Sequence, residues 1–227
     1  MIKKVAARWT ACALLPLIAT SIACGHSHAP HHGGPLGHRF DDPESWSARW
    51  DDPARDEWQR PAEVIEAMAI EPGMALVDLG AGTGYFLPHL AAAAGPDGAV
   101  EALDVEAPMV DWLKNRIARD AISGASARLV PFDDPQLPAA SVDRVLIVNT
   151  WHHIPERPTY GAHLTRALKP GGAVVIVDYA LDSPVGPPAE MRLSPESVVA
   201  DLEAAGLKAA IIPEALPRQY IVVGRLP

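Results

Sequence analysis

The sequence predicts an α/β fold: a doubly wound, mostly parallel sheet of seven strands with the last strand antiparallel. Three observations predict it. Short apolar segments rich in Val, Ile and Leu alternate with segments of helical periodicity, the pattern of a parallel sheet covered by helices on both faces. The first of them, Leu76-Val77-Asp78-Leu79, runs straight into Gly80-Ala81-Gly82-Thr83-Gly84, a turn that opens a helix. The last two are joined by Pro213-Glu214-Ala215-Leu216-Pro217-Arg218, too short for a crossover helix, so they pair antiparallel.

The elements follow in order. Residues 40–227 suffice for one domain with a single core. Asp42-Pro43 and Asp52-Pro53 each place an Asp cap before a Pro in the first turn of a short helix. Three of the six tryptophans, Trp46, Trp50 and Trp58, fall here, so these helices either cover a pocket as a lid or pack on the sheet edge. A helix follows over 61–68 with Val64, Ile65 and Met68 on one face. Strands are expected at 75–78, 99–104, 127–131, 143–149, 173–178, 208–212 and 219–223. Helices fill the gaps near 84–94, 108–121, 160–168 and 194–205, the last starting at Ser194-Pro195 and stopping at Gly206.

The glycine turn carries the first functional signal. Three glycines at alternate positions allow a sharp reversal and a close backbone approach to a ligand, where a Cβ would collide. The helix behind them aims unpaired N–H groups at that ligand. An apolar strand ending in Asp, then Gly-x-Gly-x-Gly, resembles the first motif of class I S-adenosylmethionine (SAM) methyltransferases. The rival is the dinucleotide turn Gly-x-Gly-x-x-Gly, which needs glycine where this chain has Tyr85. Ala167-Leu168-Lys169-Pro170-Gly171-Gly172, followed by Ala173-Val174-Val175-Ile176-Val177-Asp178, resembles the turn and fifth strand of the same family. There Pro170 stops a helix and the glycine pair permits a tight reversal. The resemblance runs from about Pro61 to Val223 and implies the Rossmann-like methyltransferase sheet. More narrowly, Asn149-Thr150-Trp151-His152-His153-Ile154 and Pro184-Val185-Gly186-Pro187-Pro188 resemble a bacterial group of exported methyltransferase-like proteins.

The resemblance implies SAM as cofactor and a site at the strand ends, where doubly wound sheets bind ligands. Asp78 would meet the ammonium of the methionine part, with Gly80, Gly82 and Gly84 letting the backbone close in. Asp104 would accept from the ribose hydroxyls, Asp133 from the adenine amino group, and Asn149 would stand beside the methionine part. Methyl transfer is an in-line displacement, so the protein mainly aligns donor and acceptor. A base is needed only where the acceptor must lose a proton. His152 and His153, just past the fourth strand, are the catalytic candidates, against the alternative that they pack or cap a helix. Asp178 and Tyr179 share that rim, and Trp151 would offer an aromatic face to a flat or cationic substrate. No metal site is expected in the domain.

The first residues have a different character. Lys3, Lys4 and Arg8 precede an apolar run from Trp9 to Ala23 that is too short and interrupted to span a bilayer, the pattern of an export signal. Ser21-Ile22-Ala23-Cys24-Gly25 resembles a bacterial lipoprotein cleavage site, although Ser21 stands where an aliphatic residue is usual. The expected organisation is a signal peptide at 1–23, a flexible tether rich in His, Gly and Pro at 24–39, and a methyltransferase domain at 40–227. The protein would be exported and held at the membrane by lipid on Cys24. An ordinary secretory signal, or a cytoplasmic protein that never uses the signal, is the alternative. Five of the nine histidines lie in the tether, where any bound metal would be peripheral to the chemistry.

Composition closes off other classes. Cys12 and Cys24 are the two cysteines, so the domain has no disulfide, thiol nucleophile or thiolate metal site. Loss of residues 1–23 removes Lys3, Lys4 and Arg8 and takes the formal charge from −9 to −12, poorly suited to nucleic acid. The expected activity is methyl transfer from SAM to a small-molecule acceptor. A lipid-anchored, non-catalytic binding protein on the same fold is the alternative.

Overall fold

The computed structural model describes residues 40–213 and 216–227, so the signal, Cys24 and the histidine-rich tether lie outside the described residues. Seven strands form one sheet: β1 (Ala75–Leu79), β2 (Ala99–Asp104), β3 (Ala125–Leu129), β4 (Val142–Val148), β5 (Leu168–Tyr179), β6 (Lys208–Ile212) and β7 (Gln219–Arg225). Their order is β3-β2-β1-β4-β5-β7-β6. β1 pairs parallel with both β2 and β4, so the winding reverses between β1 and β4. β7 lies antiparallel between β5 and β6. The predicted sheet is the observed one.

Both faces of the sheet are apolar, as a sheet covered on two sides requires. Successive side chains of a strand point to opposite faces. Thus Val77, Val145, Val174 and Val222 join one core cluster, while Leu76, Leu146, Val175 and Val223 join the other. The first cluster is closed by α6 (Arg157–Ala167) and α7 (Pro195–Ala204) through Leu164, Val198 and Leu202. The second is closed by α3 (Pro61–Met68), α4 (Leu87–Ala94) and α5 (Ala107–Arg119) through Val64, Leu90 and Leu113.

The caps read from sequence are in place. The Asp42 carboxylate accepts from Ser45 N–H ahead of α1 (Pro43–Trp50), and Asp52 accepts from Ala54 N–H ahead of a 3₁₀ turn over Pro53–Arg55. Ser194 caps α7 by accepting from Ser197 N–H. The turn expected at 169–172 differs. β5 starts at Leu168, which pairs with Val142, and resumes at Ala173, which pairs with Arg144, so four residues bulge from the ladder. Arg144 holds that bulge by donating to Gly171 O at 3.2 Å.

Candidate active site

A cavity of about 600 Å³ opens over the carboxyl ends of β1, β2, β4 and β5, at the reversal of strand order. Its floor is the turn after β1. Gly80 has φ +70°, and a Cβ there would stand 2.4 Å from the Thr150 side chain. Gly82 has φ +55°, and its Cβ would stand 3.1 Å from the Trp50 ring. Both positions need glycine twice over, for backbone conformation and for space. Gly84, also at positive φ, backs onto Leu87 and Leu113, outside the cavity wall.

Two buried carboxylates mark the acidic end. Asp78 is 3% exposed. Burial pushes its carboxyl up to about 7, with Arg55 pulling the other way and Asp104 adding to the rise. Asp104 accepts from Gly82 N–H at 2.9 Å and from Glu106 N–H at 3.0 Å. Burial raises its pKa, and these backbone N–H groups oppose the rise. Each carboxylate oxygen of Asp104 keeps a further acceptor lone pair.

The segment before α3 forms the roof. Trp46 and Trp50 of α1 stack with centroids 4.7 Å apart, and Phe40 packs against both. All three line the cavity, as does Trp58 of α2 (Asp56–Gln59). Of the two placements open from sequence, the lid is the observed one. Polar clasps fasten it to the glycine turn: Thr83 Oγ1 donates to Asp51 at 3.0 Å, Arg116 pairs with Asp51 at 2.9 Å, and the Tyr85 hydroxyl donates to Asp56. The Arg55 guanidinium lies 3.9 Å from the Tyr85 ring centroid, a cation–π contact.

A buried amide relay joins lid to sheet. Arg55 donates to Gln59 Oε1, Gln59 Nε2 to Gln219 Oε1 at 2.6 Å, and Gln219 Nε2 to Asn149 Oδ1 at 2.7 Å. Asn149 thereby has a fixed side chain, and its φ of +53° turns the chain sharply after β4. His152 follows in a short 3₁₀ turn over Trp151–His153, where its Nδ1 sits 2.9 Å from both oxygens of Asp178. A carboxylate on Nδ1 fixes the tautomer and leaves Nε2 as the basic nitrogen. His153 lies 4.2 Å from His152, ring to ring, and packs edge-on against Phe40.

The structure thus gathers Asp78, Gly80, Gly82, Asp104, Asn149, His152 and His153 around one cavity. Three expectations are corrected, the first being Gly84, which lies behind the wall and does not line it. Asp133 is exposed and not part of the wall, because Phe132 turns inward there instead. Trp151 is fully buried, donates to Asp201 at 3.2 Å and packs on Tyr160, so it belongs to the core. Sequence reasoning missed Arg55, Gln59 and Gln219. A lone Gln heading the apolar run Tyr220-Ile221-Val222-Val223 was the available signal for Gln219.

This end of the cavity fits SAM by chemistry: Asp78 for an ammonium, Asp104 for a diol, Arg55 for a carboxylate. The comparisons agree. Residues 77–176 match the methyltransferase domain family. The chain is 32% identical over 170 residues to nocamycin O-methyltransferase of Saccharothrix syringae, covering 72% of this chain and 57% of that protein. It is 32% identical over 124 residues to a ubiquinone/menaquinone biosynthesis C-methyltransferase of Bordetella parapertussis, covering 52% and 46%. It therefore spans about half the length of the curated relatives it matches. A solved SAM-dependent methyltransferase from Aquifex aeolicus is similar at TM-score 0.76 and 28% identity, over 82% of this chain and 99% of that one. Residues 77–176 thus match a methyltransferase domain, the sheet is that of a SAM-dependent methyltransferase, and SAM is the cofactor the cavity fits.

Proposed function

We propose that this protein transfers the methyl group of SAM to a small-molecule acceptor whose reacting atom loses a proton. One observation carries the reading: His152, oriented by Asp178 at 2.9 Å, stands on the wall of the cavity that holds the glycine turn. Asp78, Asp104 and Arg55 would hold the cofactor, which supplies an electrophilic methyl on a sulfonium when bound. The lid aromatics exclude water, and the relay through Gln59 and Gln219 holds Asn149 beside the methionine part. His152 Nε2 takes the acceptor's proton, and Asp178 stabilises the imidazolium that forms. The names of two matched relatives, an O- and a C-methyltransferase, are compatible with an acceptor that sheds a proton.

The test is turnover of SAM against a panel of phenols, quinols and amines. His152→Gln should lower kcat by about 10²–10⁴ with S-adenosylhomocysteine affinity nearly unchanged. Asp178→Asn should lower kcat in the same direction by disturbing the tautomer. Normal turnover in the Gln variant would remove the base. Binding of S-adenosylhomocysteine without turnover on any acceptor would favour a binding protein instead.

Export is proposed on the residues of the first segment. Mass spectrometry of the mature protein should find diacylglycerol on Cys24, and Cys24→Ala should abolish it. A soluble product that begins at Met1 would refute the anchor.

A further inference from the structure

The cavity has a second end that cofactor binding leaves unexplained. Arg49 and Arg218 line the cavity there, whereas Arg55 belongs to the cofactor end. No carboxylate among the described residues forms an ion pair with Arg49 or Arg218. In a chain of formal charge −9, two guanidinium groups with no ion pair among the described residues thus line one cavity. The same cavity holds an aromatic wall. Trp58 and Tyr179 run nearly parallel, 25° apart with centroids 6.3 Å apart, and Arg218 lies 5.2 Å from the Trp58 ring. The charges of Arg49, Arg55 and Arg218 all act on the Tyr179 phenol. Gly186 presses on the same phenol, since a Cβ there would stand 2.7 Å from its ring. Arg192 holds this loop by donating to the carbonyls of Ser183 and Pro187, so the wall is braced from behind.

We propose that Arg49 and Arg218 bind the carboxylate of an aromatic acid that lies flat against Trp58 and Tyr179 and serves as the methyl acceptor. The inference rests on the methyl-transfer reading and adds the substrate class. Guanidinium is planar and matches a carboxylate with two parallel N–H donors, which an ammonium cannot do. An aromatic ring on an aromatic wall supplies apolar area, while the two cations set its direction. The carboxylate sits at the mouth, so the far edge of the ring, with a hydroxyl or amine, points inward to His152. A neutral isostere leaves both guanidinium groups without a partner and binds worse.

The experiment is isothermal titration of the full chain with 3,4-dihydroxybenzoate and with the neutral 3,4-dihydroxybenzamide, each with and without S-adenosylhomocysteine. The acid should bind at least tenfold tighter than the amide. Arg49→Gln with Arg218→Gln should erase that ratio and leave S-adenosylhomocysteine affinity unchanged. Arg218→Lys, which keeps charge but loses the planar fork, should fall between. Equal binding of acid and amide to the unmodified protein would overturn the proposal without any variant. So would an acid preference that survives the double substitution, or one removed only by Arg55→Gln, which places the anion at the cofactor end. The two readings fail separately. Binding of S-adenosylhomocysteine with no acid preference sinks this proposal alone. No binding of S-adenosylhomocysteine sinks the methyl-transfer reading, while the acid-to-amide ratio still decides the charge reading by itself.

Discussion

The two ends of the cavity are built by opposite means. The acidic end consists of residues at strand ends and in the turn after β1, where the backbone of a rigid sheet sets every position. The basic, aromatic end is assembled from α1, α2, the loop after β5 and the residue before β7, whose contacts cross up to 160 positions. One end is fixed by main chain and the other by side chains. The sheet end is therefore suited to a constant cofactor and the lid end to a variable acceptor, as a scaffold with functional loops allows.

If that division holds, cofactor affinity should respond strongly to the strand ends and, Arg55 apart, weakly to the lid. The largest effect is expected at Asp104. On the proposed placement of SAM, Asp104→Ala would remove a charged acceptor from the ribose hydroxyls, and hydrogen bonds to charged groups contribute about 1.5–3 kcal/mol each. S-adenosylhomocysteine should bind at least tenfold more weakly by titration calorimetry. A response of NADH rather than of S-adenosylhomocysteine would reverse the reading of the turn.

Asp78 should show itself in pH dependence. Its carboxyl lies at about 7 in the folded chain against 3.8 for the free group. An ammonium-bearing ligand needs the ionised form, so affinity should climb by up to about tenfold per pH unit from below 7 and level off above it. Asp78→Asn should flatten the profile. The stability of the free domain has the opposite sign. Between 3.8 and about 7 the folded state holds a proton that the unfolded state has released, so this group makes stability fall as pH rises through that window. A melting temperature that depends on pH in the same way in Asp78→Asn would assign the effect elsewhere.

The smallest effect on the cofactor is expected at Gln59. Gln59→Leu cuts the relay and leaves Gln219 with a buried acceptor unpaired, which costs about 1–3 kcal/mol of stability. The melting temperature should drop, while S-adenosylhomocysteine affinity changes less than threefold. A tenfold loss would mean that lid side chains besides Arg55 help hold the cofactor, and the division between the two ends would dissolve.

The same division explains what could be read in the sequence. Asp78, Asp104 and Asn149 end or follow apolar runs, and a run that becomes a central strand places its last residue without further information. The glycines declare their backbone need directly. Arg55, Gln59 and Arg218 stand in segments with no period, and their meeting depends on where α2 lands beside β7. Trp151 misled because its neighbours line the cavity, whereas a 3₁₀ turn sends adjacent side chains in different directions and buries its indole under Asp201. Asp133 misled for a similar reason, one position away from the inward Phe132.

The place of β7 bears on when the molecule can form at all. It is the innermost neighbour of β6, which touches no other strand, and its residues from Gln219 to Gly224 are buried without exception. β6 therefore has no seat in the sheet until residues 219–225 have emerged from the ribosome. The pairing of β7 with β5, from Tyr179 with Gln219 to Ala173 with Arg225, is distant in sequence, and such pairings slow folding because long loops must close before the contacts that reward them exist. A chain still being synthesised therefore holds an incomplete sheet with one flank open, and any grip on SAM waits until synthesis has passed the last strand.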